Sequence, residues 1–108
     1  MNFGGVTYLD PWSAVAGQRT ALALEAELVR ETGPGHPLHG RKVAAVARRE
    51  DRDDVLFVTV DEPQVVAVVH LTWTGRLETD PRCPRATLFA SFADWIERGM
   101  KADHQDFI

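Results

Sequence analysis

Between Asp54 and Trp73 the chain reads DVLFVTVDEPQVVAVVHLTW, two apolar runs of strand length on either side of Asp61-Glu62-Pro63. The β-branched and aromatic residues suit a pleated surface, and the acidic, proline-containing break supplies a turn. Strands joined by so short a connection pair antiparallel, so the segment predicts a hairpin and restricts the fold to one built on an antiparallel sheet. Because side chains alternate along a strand, Val55, Phe57, Val65, Ala67, Val69, Leu71 and Trp73 share one face, while Leu56, Val58, Val66, Val68, His70 and Thr72 share the other. With a three-residue loop, Val60 opposes Gln64, Leu56 opposes Val68 and Asp54 opposes His70; another loop length breaks that pairing. Both faces are apolar at the centre, so both need cover. The first face is assigned to the helices, and loops, one helix or a partner protein are left to cover the second.

The flanking segments fill out an α+β domain. Asp10-Pro11 is suited to open a helical turn, with Asp as cap and Pro at the first helical position, and Gly17 weakens that turn. From Gln18 to Thr32 the residues favour a helix, stopped by Gly33-Pro34. On the helical wheel Ala21, Leu22, Leu24, Leu28 and Val29 form the apolar arc, and Arg19, Thr20, Glu27, Arg30 and Glu31 lie opposite. Glu25 falls inside the apolar arc, where it either bends out at the edge, the favoured reading, or is held by a buried donor. GPGHPLHG, residues 33–40, is a structured loop, because Pro and the residue before it are conformationally restricted. Strands are expected over Lys42–Arg49, Val55–Val60 and Gln64–Trp73, with a short fourth over Ala86–Ala90. A capping box at Ser91 and Asp94 opens a C-terminal helix whose Phe92, Trp95, Ile96 and Met100 share a face.

The expectation is a single domain over residues 1–108, with an N-terminal helix, a three- or four-stranded antiparallel meander and a C-terminal helix. Residues 1–9 and 102–108 are expected to be loosely ordered. With 108 residues, 44% hydrophobic and 26% charged, the chain can bury a core of its own. Its single cysteine, Cys83, has no internal disulfide partner and fits a reducing compartment. No apolar run reaches membrane-spanning length and no secretory signal opens the chain, so a cytoplasmic location is expected, with no membrane partner. A net charge of −4 argues against nucleic acid as the main partner. Arg41, Lys42, Arg48 and Arg49 are a local basic exception, read as strand-end solvation.

Candidate chemistry is sparse. His70 with Asp54 as orienter is the acid–base candidate, with His36 or His39 as second base or metal ligand. His36, His39 and His70 are the metal candidates, although Pro37 prevents the first two from sharing a regular helix face. No cofactor is implied. Cys83 could serve as a nucleophile with His70 as its base, but a lone loop cysteine is more often passive. The acidic connection EDRDD reads as a solvated turn. Its Glu50, Asp51, Asp53 and Asp54, together with Trp73, are also the residues expected to meet a protein partner.

Taken together, GHPLHG, DDVLF, VHLTW followed by a Gly-containing turn, and DPRCP resemble a family of small uncharacterised bacterial proteins, over about Glu27 to Asp103. The resemblance implies a Trp where this chain has Cys83, which favours a packing role there, and it implies no established activity. The leading expectation is therefore a non-catalytic protein-binding module, immunity- or inhibitor-like, that masks a basic surface. The alternative is a small metal-assisted or acid–base enzyme, and a homodimer closed through the second sheet face is a third possibility.

Overall fold

The computed structural model describes residues 7–61, 64–73 and 83–108. Its apolar runs form one antiparallel sheet in the order β1-β2-β3-β4-β5, comprising β1 (Trp12–Ala14), β2 (Val43–Arg49), β3 (Asp54–Thr59), β4 (Val66–His70) and β5 (Ala86–Phe89). Helix α1 (Gln18–Glu31) lies between β1 and β2 in the chain. The C-terminal run comprises α2 (Phe92–Trp95), a π-helical stretch (Ile96–Met100) and α3 (Lys101–Phe107). The α+β meander and the C-terminal helix are as expected, and the sheet gains a strand that precedes the first helix.

That extra strand corrects the reading of Asp10-Pro11 as a helix start. The Asp10-Pro11 bond is cis, and the chain then pairs Trp12 with Arg49 and Ala14 with Ala47. The ring of Trp12 is buried edge-on against Trp95, with centroids 5.2 Å apart, so burial of a large aromatic outweighs a local capping signal. Residues up to Phe107 continue as α3, anchored where the Trp12 indole donates to Asp103 at 2.9 Å and the His104 ring donates from Nδ1 to the Asp10 carbonyl.

Each face of the sheet carries its own core. On the first face, Leu24, Leu28 and Leu38 pack on Ala45, Val55, Phe57, Ala67, Val69 and Leu71. On the second, Trp12, Trp95 and Met100 pack on Ala47, Leu56, Val58 and Val66, with Val68 and Phe92 alongside. The helices thus divide between the faces, and the C-terminal run covers the apolar surface that had no assigned cover. The hairpin register is the expected one: Leu56 opposes Val68 and Asp54 opposes His70. Glu62 and Pro63, in the turn that sets it, lie outside the described residues.

A bulge interrupts β2. Ala45 opposes Phe57, yet Ala47 opposes Leu56, so Val46 is the extra residue. It lets Ala45 join the first core and Ala47 the second, although regular alternation would put both on one face. The Ala45 amide donates to the Glu25 carboxylate at 2.9 Å. Glu25 is therefore held by a backbone donor, the less favoured of the two readings, and clips α1 to the bulge.

Candidate functional site

The end of the sheet where β3 begins and β4 ends gathers the polar side chains of the hairpin. Register places Asp54 beside His70, and His70 Nδ1 lies 2.7 Å from Asp54 Oδ1. A carboxylate can only accept, so the shared proton sits on Nδ1, and in the neutral ring Nε2 keeps its lone pair. The imidazole is about half exposed, whereas Asp54 is mostly covered. The backbone fixes both groups. His70 N–H donates to the Arg85 carbonyl at 2.9 Å, and Leu71 N–H donates to the Asp53 carbonyl at 3.1 Å.

Around this pair lies an open depression of about 460 Å³, lined by Arg52, Asp54, His70, Thr72, Cys83, Pro84 and Arg85. Cys83 is a partly buried free thiol that shares this depression with His70, joined to Pro84 by a cis peptide bond. Sequence reasoning missed Arg52 and Arg85. Only the register, which brings the start of β5 beside the end of β4, could have placed Arg85 there.

The other histidines do not join the pair. His36 is buried, accepting the Leu38 amide on Nδ1 at 3.0 Å, so its proton sits on Nε2 and is donated to the Pro84 carbonyl at 2.8 Å. Both ring nitrogens are thereby used, and the imidazole straps the GHPLHG loop to the back of the depression. His39 lies 3.3 Å from the Thr32 carbonyl and lines a separate hollow with Leu38 and Arg41. Among the described residues, no group of three or more His, Cys, Asp or Glu is placed to hold a metal ion.

Most of the acidic candidates are tied locally. Glu50 accepts from the Ser13 hydroxyl, and Asp51 takes both ends of the Arg49 guanidinium at 2.9 Å. The bond from Arg49 holds the Asp51 carboxyl below the usual range. Arg49 itself is buried and also meets Asp103, so this member of the basic group is part of a packed network.

Trp73 is 47% exposed and adopts φ 58°, the left-handed region that a bulky side chain disfavours. Glu31 holds the backbone there. Its carboxylate accepts the amides of Thr72 and Trp73, each at 2.9 Å, while being completely buried. Glu27, one turn earlier, is also buried and accepts from Arg30 at 2.7 Å. Burial, and then a hydrogen bond shared with Glu27, push the Glu31 carboxyl up against the opposing pull of the two amides. These positions correct the helical wheel. Leu22 and Val29, placed on the apolar arc, are exposed, and Glu27 and Glu31, placed on the polar face, are inside. The helix is rotated so that Glu31 serves the chain leaving β4, with Glu27 buried beside it. Like charges four residues apart are unfavourable on a solvated helix, and that pairing was the one available sign.

The chain matches no protein-family model, no curated protein and no solved structure. Among the described residues, no helix is long and apolar enough to cross a membrane.

Proposed function

We propose that the protein acts by binding another protein, as an immunity- or inhibitor-like module, with Trp73 as the anchor. The observation that carries this reading is a large aromatic side chain held half in solvent on a left-handed backbone by a buried carboxylate. Strain of this kind persists only where surrounding structure enforces it, and it gathers at functional positions. Trp is also the residue type most enriched at binding hot spots. The loop bearing Glu50, Asp51 and Asp53 is tied to the same stretch through the bond from Leu71 to Asp53, which supplies acidic neighbours for a basic partner.

The test uses the full chain as bait in an extract of its source cells. Wild type recovers a stoichiometric partner, and Trp73→Ala loses it. Trp73→Gly relieves a backbone penalty of about 1 kcal/mol, so this variant loses the partner while its stability holds or rises. Absence of any stoichiometric partner for wild type would count heavily against the reading, as would retention by both variants.

A second reading, an acid–base enzyme, rests on the oriented Asp54–His70 pair within the depression. His70 Nε2 would be the proton acceptor and Asp54 the group that fixes the ring. His36 takes no part in it, because its nitrogens are already engaged.

A further inference from the structure

We propose that the depression around His70 is a binding site for the phosphomonoester group of a small molecule, held by Arg52, Arg85 and His70. This goes beyond both functional readings, and it holds whether or not Trp73 engages a partner.

Among the described residues, three groups able to carry positive charge line one hollow from three segments: Arg52 from the β2–β3 loop, His70 from the end of β4 and Arg85 from the residue before β5. Both arginines are exposed, and among the described residues neither makes an ion pair, in a chain where acidic groups outnumber basic ones 16 to 12. Of the carboxylates beside them, Asp54 and Asp51 are otherwise engaged, and Asp53 is exposed. Asp54 accepts the hydrogen bond from His70 Nδ1, and Asp51 accepts from Arg49 while still feeling the charge of Arg52. Among the described residues that line the hollow, Arg52, Arg85 and His70 stand against one carboxylate, Asp54, in a chain that is net anionic.

The scaffold beneath is fixed. His70 N–H holds the Arg85 carbonyl, and His36 holds the carbonyl of the preceding residue, Pro84, so the base of Arg85 is anchored on both sides. Planar guanidinium groups pair bidentately with tetrahedral oxyanions, and a second arginine with a protonatable imidazole suits a dianion better than a singly charged carboxylate. A hollow of about 460 Å³ is the size of a small-molecule site.

The experiment is a titration of the isotope-labelled full chain, followed by NMR at low and constant ionic strength. The probes are phenyl phosphate, inorganic phosphate and acetate. Phenyl phosphate is expected to give saturable shifts of the His70 ring and the Arg85 amide at millimolar or lower concentration, more tightly than inorganic phosphate, with acetate weaker by at least tenfold. Arg52→Gln and Arg85→Gln should each weaken phenyl phosphate at least tenfold while leaving the spectrum of the two cores unchanged. Because both side chains are exposed, the variants should fold. Inorganic phosphate binding as tightly as phenyl phosphate would make the ligand free phosphate and overturn the assignment to an ester. Absence of saturation by about 10 mM, equal binding of acetate, or undiminished binding by the double variant would each overturn the site.

Discussion

A Cβ added at Gly99 would lie 2.6 Å from Trp95 Cδ1 and 3.1 Å from the Phe89 ring. Gly99 sits in the π-helical stretch, where the extra residue per turn brings the chain against the indole of a fully buried Trp95. Gly99→Ala is therefore expected to destabilise by about 1 to 3 kcal/mol through overpacking, outweighing a helix-propensity gain of at most about 1 kcal/mol. Thermal unfolding measures the loss, and a changed near-ultraviolet dichroism of the tryptophans locates it. An unchanged midpoint would show that the second core yields at this point. Trp95 was legible as a core residue from its helical spacing. The glycine that admits it was not, because no local pattern distinguishes a close approach from a weak helix former.

At the scale of elements, α1 shows where periodicity stops being informative. Its extent was read almost to the residue, Gln18–Thr32 expected against Gln18–Glu31 observed, since composition and the Gly33-Pro34 stop are local signals. Its rotation was misread, because the wheel assumes that carboxylates seek water, and the amides of Thr72 and Trp73 reverse that preference for Glu31. The reversal has a pH signature. A carboxyl whose folded pKa is raised contributes stability that is fully present below its unfolded value and is lost as pH rises through the folded one. As pH rises above the ordinary carboxyl range, urea midpoints should therefore fall more steeply for wild type than for Glu31→Gln, which has no proton to lose there. Asp51 and Asp61, lowered by Arg49 and Arg41, act the other way, losing their contribution only at acid pH. Identical slopes for the two proteins above the ordinary carboxyl range would remove Glu31 as the cause. The strands show the complementary case. The register was legible from parity and loop length, whereas the bulge at Val46 was not, because an extra residue leaves no mark in a run of small apolar side chains.

For the molecule as a whole, the decisive contacts join the first strand, β2 and the last helix. Asp103 accepts from the Trp12 indole and pairs with the buried Arg49, which in turn holds Asp51. Asp103→Ala strips an acceptor from one buried donor and a charge from another. It is expected to cost about 2 to 3 kcal/mol in chemical denaturation, with Asp103→Asn recovering part of the loss by keeping an acceptor for Trp12. A cost below about 0.5 kcal/mol would reduce the network to surface decoration. None of this could be read from the chain, since His70 and Asp54 are related by a short hairpin whereas Trp12 and Asp103 are 91 residues apart. The meeting of Asp10 with His104 and of Trp12 with Asp103 also makes the described chain almost a ring in space. Joining its two ends through a short flexible linker would add little closure entropy, so a circularly permuted version, reopened at an exposed turn away from the depression, should keep both cores and the His70 hollow intact.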